Sequence, residues 1–138
     1  MEELKKQIAE YCRATPEVIA CYLFGSFATG SNRSGSDLDL AFLLTPEISA
    51  AECVAFRDSV VVDLGRLTRL VIHPVIMNNA GELVLGQIFR KGICIYQGDE
   101  RALRDFRSRK LPLIAEFAYY SDMMWARHKQ RYGVRADG

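Results

Sequence analysis

Hydrophobic spacing divides the chain into elements with little ambiguity. Leu4, Ile8, Tyr11 and Cys12 fall on one side of a helical wheel and predict an amphipathic helix over residues 2–13. Thr15-Pro16 ends it, because the residue before a proline avoids the helical region. Val18 to Phe24 is a near-continuous apolar run, the pattern of a strand buried on both faces. The run breaks at Gly25-Ser26 and a small polar loop follows, with Gly30, Ser31, Asn32, Ser34, Gly35 and Ser36. A second strand is predicted from Asp37 to Leu44, stopped by Thr45-Pro46. Alternation along it turns Leu38, Leu40 and Phe42 toward the core and puts Asp37 and Asp39 together on the other face. From Ala50, the positions Cys53, Phe56, Val60, Leu64 and Leu67 keep helical spacing, although Gly65 inside that helix costs about 1 kcal/mol against alanine. Val71 to Met77 is predicted as a strand and Asn78 to Gly81 as a turn. A helix over Glu82–Lys91 follows, with Arg90 and Lys91 in its last turn and Gly92 at its C-terminal cap. Ile93 to Tyr96 makes a last short strand. A long helical pattern then runs from Asp99 through Leu103, Phe106, Leu113, Phe117, Tyr120 and Met124, with Pro112 expected to kink or restart it. The order predicts a single α/β domain, a mixed sheet of four to five strands with helices packed on it and a long C-terminal helical segment. The expected division is a core over 1–98, a helical segment over 99–132 that packs on the core and/or binds a partner, and a frayed tail over 133–138.

Composition narrows this picture only slightly. A chain of 138 residues with 49% apolar and 25% charged residues is one ordinary globular domain. The net charge of +1 is unevenly spread: residues 1–98 carry 9 Lys/Arg against 11 Asp/Glu, and residues 99–138 carry 9 against 6. That mild basic excess reads as a solvated helix face, so no direct nucleic-acid binding is predicted. Cys12, Cys21, Cys53 and Cys94 are widely spaced, with no C-x-x-C. They read as small buried hydrophobes in a reducing cytoplasm. No signal-like opening is present, and no apolar run reaches the ~18 residues of a membrane span.

The chemistry concentrates between Leu23 and Leu44. Two carboxylates on one strand face repel each other unless a cation lies between them. Mg²⁺ suits that position, being held by one or two carboxylates plus substrate phosphates. The Gly25-Ser26 corner lets backbone N–H groups and a hydroxyl approach a phosphate closely. Alone, a Gly-Ser pair or a D-x-D carries little information, since the second is often a solvated strand end. Together they suit metal-assisted phosphoryl or nucleotidyl transfer.

Gly25-Ser26, ten residues, then Asp37-x-Asp39 resembles the signature of the minimal nucleotidyltransferases of the DNA polymerase beta superfamily. The segments from Ile72 to Ala80 and from Leu83 to Tyr96 resemble that family's third core strand, following helix and last strand. The likeness covers about residues 15–97. It implies Mg²⁺-dependent transfer of NMP, here AMP from ATP, to a hydroxyl. Several small bacterial members are similar to antitoxins that sit beside a HEPN-type ribonuclease toxin, bind it and adenylylate it on tyrosine. Residue by residue, the resemblance gives Asp37 and Asp39 to the metal, and Gly25 and Ser26 to the nucleotide's terminal phosphates. Arg33 is the nearest cation for the polyphosphate; otherwise it is an exposed loop arginine.

The family's third carboxylate is where the sequence departs. Alignment on Asn78 puts His73 at that position, with Asp63 as the rival. Helical spacing around Asp63 favours His73 and leaves Asp63 on a solvated helix face. A neutral imidazole is a poor Mg²⁺ ligand. It can serve as a general base, with an ordinary pKa near 6.5, or be a structural residue in a site that has lost full activity. Two readings therefore stand: an adenylyltransferase acting on a HEPN-type partner, and a catalytically weakened antitoxin that neutralises its toxin by binding. A small-molecule nucleotidyltransferase of the aminoglycoside type is disfavoured, since it usually needs a second domain. The partner is expected to dock at least partly on Leu103 to Trp125, which holds more large apolar residues than one stripe requires, Tyr119, Tyr120, Met123 and Met124 among them. Completion of the domain's own core is the alternative there, and homo-oligomerisation stays open. His128 is expected on the surface of the last helix.

Overall fold

The computed structural model describes residues 1–132, so the expected frayed tail over 133–138 lies outside the described residues. Ten short segments follow one another: α1 (Glu2–Arg13), β1 (Val18–Phe24), α2 (Ser26–Thr29), β2 (Leu38–Leu44), α3 (Ala50–Thr68), β3 (Ile72–Ile76), a 3₁₀ turn (Met77–Asn79), α4 (Glu82–Lys91), β4 (Ile93–Gln97) and α5 (Glu100–Tyr132). Every helix and strand expected from the apolar spacing is present. The differences are local. Asp37 precedes β2 rather than opening it, β3 is shorter at both ends, and a 3₁₀ turn replaces part of the turn after it. A single helical turn, α2, forms inside the stretch read as loop. Pro112 neither breaks nor restarts α5, which runs through it for 33 residues.

Local chemistry accounts for several boundaries. The Ser49 hydroxyl accepts from the Glu52 N–H at 3.1 Å while the Glu52 carboxylate accepts from the Ser49 N–H at 3.1 Å, a reciprocal cap that starts α3. Past its end, Asn78 uses its side-chain amide twice, accepting from the Leu44 N–H at 2.9 Å and donating to the Leu44 carbonyl at 2.7 Å. That pair of bonds ties the end of β2 to the turn after β3.

The four strands form one mixed sheet in the order β3-β2-β1-β4. β1 is antiparallel to both β2 and β4, whereas β2 and β3 are parallel and joined by the α3 crossover. Pro74 sits in β3, an edge strand, where a missing N–H is tolerated. Helices cover both faces. Leu38, Leu40 and Phe42 are fully buried with Ile8, Cys12, Phe56, Val60 and Leu64 on the α1/α3 side. Tyr22, Ala41, Leu43, Met77, Leu85, Ile88, Leu103 and Phe106 form the second core on the α4/α5 side. Cys12, Cys21 and Cys53 are buried free thiols, as their apolar surroundings implied, whereas Cys94 on β4 is only partly buried. Among the described residues no helix is long and apolar enough to cross a membrane.

Candidate active site

Strand alternation puts Asp39 on the same face of the sheet as Ala41 and Leu43, but at the strand's exposed start. Cross-strand register sets Asp39 beside Phe24 of β1 on one side and His73 of β3 on the other. Immediately after Phe24 the chain turns at Gly25, with φ +72°, into α2. A Cβ at Gly25 would collide with the Asp39 Oδ2 atom, so a residue without a side chain is required for the corner and the carboxylate to share this space. The N–H groups of Ala28 and Thr29 both donate to the Gly25 carbonyl, which folds α2 tightly under the corner.

His73 faces both acids. Its Nε2 lies 3.1 Å from Asp37 Oδ2 and its Nδ1 lies 3.8 Å from Asp39 Oδ1. The side chains of His73, Asp37 and Asp39 are 58%, 42% and 30% exposed, so the three form an open shelf at the rim of the sheet. Burial is the main influence on Asp39 and pushes its pKa up; His73 pulls it down and the Asp37 charge raises it again. A raised carboxylate beside a second carboxylate is an electrostatic situation that a cation relieves.

Of the residues singled out from sequence, Gly25, Asp37, Asp39 and His73 converge, with Ser26 opening the helical turn at the corner. Arg33 does not pack into the site. Its backbone is held in a turn with Ser36, whose hydroxyl accepts from the Arg33 N–H at 2.7 Å, and its side chain stands exposed on the loop. Asp63 lies on α3, where its carboxylate accepts the Tyr11 hydroxyl at 3.2 Å. His128 lies exposed on α5, stacked on Trp125 with ring centres 5.5 Å apart. The sequence reading missed α2. Its only signal was the Gly-Ser start, and four residues are too few for an apolar period to show.

Among the described residues, no cluster of three or more His, Cys, Asp or Glu stands ready to hold a metal. The shelf offers two carboxylates, which suits an ion that takes its remaining ligands from phosphate and water.

Comparison with known proteins agrees with this geometry. A family model for the polymerase beta nucleotidyltransferases matches residues 6–101. No curated protein matches the chain in sequence. Among solved structures, a toxin–antitoxin complex with AMP-PNP is similar at a TM-score of 0.69 and 20% identity, covering 87% of this chain and 98% of that one. An MntA–HepT toxin–antitoxin structure is similar at 0.65 and 18%, covering 90% and 99%. A tri-AMPylated HEPN toxin from Shewanella oneidensis in complex with an MNT antitoxin is similar at 0.64 and 18%, covering 89% and 98%. At such identities the likeness is one of fold, and the family match spans most of the chain. This protein belongs to the polymerase beta nucleotidyltransferase family.

Proposed function

We propose that this chain is a Mg²⁺-dependent nucleotidyltransferase that moves AMP from ATP to a hydroxyl of a HEPN-type partner protein in the cytoplasm, as the antitoxin of that pair. The observation that carries the reading is the convergence of Asp37 and Asp39 on one open shelf against the Gly25-Ser26 corner. When bound there, Mg²⁺ would neutralise phosphate charge and activate the attacking hydroxyl. Asp37 and Asp39 would hold it. The Gly25 and Ser26 amides and the Ser26 hydroxyl would take the terminal phosphates, with Arg33 swinging in from its loop. The exposure of the shelf suits an acceptor presented by another protein. The AMP-PNP complex and the AMPylated toxin among the structural neighbours support the same chemistry.

Calorimetry on Asp37→Asn and Asp39→Asn tests the metal assignment. Both variants should lose Mg²⁺-dependent ATP binding while keeping the fold, because the inward residues of β2 are Leu38 and Leu40. Unchanged nucleotide affinity in both would sink it.

The position of His73 favours a second reading, an antitoxin that binds but transfers weakly. His73 pairs in register with Asp39, where a third carboxylate would add negative charge to the metal site. Losing that charge weakens chemistry more than binding, and each 1.36 kcal/mol of barrier is about tenfold in rate. His73→Asp should therefore raise AMP transfer to the partner about tenfold or more, with ATP affinity little changed. Brisk transfer by the wild type, unaltered in both His73→Asp and His73→Ala, would remove the weakened-enzyme reading.

A further inference from the structure

We infer that the groove between α4 and α5 pairs with the same groove of a second copy of this chain. The two α5 helices would lie antiparallel, about a two-fold axis that passes between Ile114 and Ala115. The groove is a cleft of about 510 Å³ whose apolar lining is Leu83, Phe89, Leu111, Ile114, Phe117 and Ala118. Leu83 is 59% and Phe117 41% exposed, so apolar surface here has no cover within the chain.

Two contacts fix the direction of the walls. Arg107 lies over the Phe89 ring at 5.3 Å, and a Cβ on Gly86 would stand 3.1 Å from an Ile114 methyl group, so α4 and α5 run antiparallel. Glu82 and Asp122 consequently mark one end of the groove, and Arg90 and Arg107 the other. Each end thus gathers charge of one sign. An antiparallel copy brings its own acidic end to Arg90 and Arg107, and its basic end to Glu82 and Asp122. One operation neutralises both ends. A two-fold interface requires such self-complementarity, because if one residue faces a second, the second must face the first.

The match continues past the groove. Glu100, Arg104, Arg107 and Leu111 line a second hollow on α5, which shares Arg107 and Leu111 with the first. Steps of three and four residues carry this line on to Trp125 and Lys129, one stripe about 44 Å long. When Arg107 faces Asp122 of the copy, Leu111 faces Ala118 and Ile114 faces Ala115 at the centre. Arg104 then faces the Trp125 ring, which attracts a guanidinium, and Glu100 faces Lys129. A slip of seven residues keeps the same stripe in contact but sets Asp122 against Glu100 in one direction and Arg107 against Lys129 in the other. A parallel pair would set Arg107 against Arg107 and Asp122 against Asp122. Charge therefore selects the antiparallel register over these rivals. A seam along one helix and its groove is small among interfaces, so the dimer should dissociate on dilution.

Sedimentation velocity of the chain alone across a dilution series tests the inference. The wild type should pass from one chain to two as concentration rises. Leu83→Glu and Ala118→Glu, both at exposed positions, should each weaken the dimer about a hundredfold, the size of a central interface anchor. Glu116→Ala, on the far side of α5, should leave it unchanged. Arg107→Asp alone and Asp122→Arg alone should each weaken it about tenfold or more, by setting like charges together at both ends. An equimolar mixture of those two variants should regain the wild-type association, because every 107–122 contact in the mixed dimer joins opposite charges. That recovery belongs to a second copy in this register and to no other occupant. A mixture no stronger than its components overturns the inference, as does a wild type that stays a single chain at every concentration. In the second case, loss of a co-purified HEPN-type protein in Leu83→Glu and Ala118→Glu would give the groove to that partner. The mass of the chain alone is independent of AMP transfer, so failure here leaves the functional reading standing. Circular dichroism checks the fold of each variant, and recovery in the mixture shows that both charge variants are competent to pair.

Discussion

Gly25 joins backbone conformation to site geometry in one residue. At φ +72° and ψ −155° its backbone lies in a region nearly closed to residues with a Cβ, at about 1–3 kcal/mol, and here that Cβ must also displace the Asp39 carboxylate. Gly25→Ala should therefore lower the thermal midpoint and weaken Mg²⁺-dependent nucleotide binding together. A variant that melts early but binds normally would show that Asp39 is placed independently of the corner. Tyr11 makes a different prediction. Burial, then the Asp63 carboxylate, lifts its phenol from about 10 to about 12. Between those values the folded state keeps a proton that the unfolded state releases. Its contribution is thus fully present below pH 10 and lost as pH rises through 12. Burial lifts Tyr22 to about 12 as well, with Cys94 adding to the effect. Urea unfolding across this range should show falling stability in the wild type and a shallower fall in Tyr11→Phe.

At the scale of elements, Asn78 acts as a clasp between β2 and the turn after β3. Removing a side chain that satisfies two backbone groups leaves both unpaired, at about 1–3 kcal/mol each when buried. Asn78→Ala should shift the urea midpoint down by a loss in that range and leave the denaturant slope unchanged. In α5, Pro112 withholds the N–H that would reach the Ser108 carbonyl, and a proline in a helix interior costs about 3 kcal/mol. Pro112→Ala should raise helicity by circular dichroism; a loss would mean that the fixed φ of proline is needed there. The elements themselves were legible because each buries one apolar face: Cys53, Phe56, Val60 and Leu64 on α3 mark period and burial at once. The restart expected at Pro112 does not occur, because long runs of helix formers on either side of it carry the helix through. The shelf was legible as Asp37 and Asp39 through strand alternation. The approach of His73 was available only through the likeness to a family, since register between parallel strands leaves no local trace. Arg33 stayed open between a phosphate contact and an exposed loop arginine, because loop side chains carry no period that would decide it.

The molecule as a whole divides at Ile114. Up to that point α5 packs on the second core through Leu103 and Phe106, whereas Phe117, Tyr119, Tyr120, Met124 and Trp125 are all exposed. The expectation that these residues are more than the domain's own core is consistent with that exposure. A chain ending after Ala118 should keep its cooperative melt within a few degrees of the full protein. A chain ending after Asp99 should lose it, because Leu103 and Phe106 then leave the core open. Collapse of the first truncation would show that the distal helix stabilises the domain. The strand order has one more consequence, in the time domain. The corner and the carboxylates lie on an antiparallel pair closed over a short stretch of chain, whereas the partner of Asp39 on the other side, His73, is 34 residues away across a parallel crossover. Non-local parallel pairing is slow, because loop entropy is lost before contacts reward it. The Gly25–Asp39 half of the shelf should thus assemble early in folding, and the half that carries His73 should arrive last.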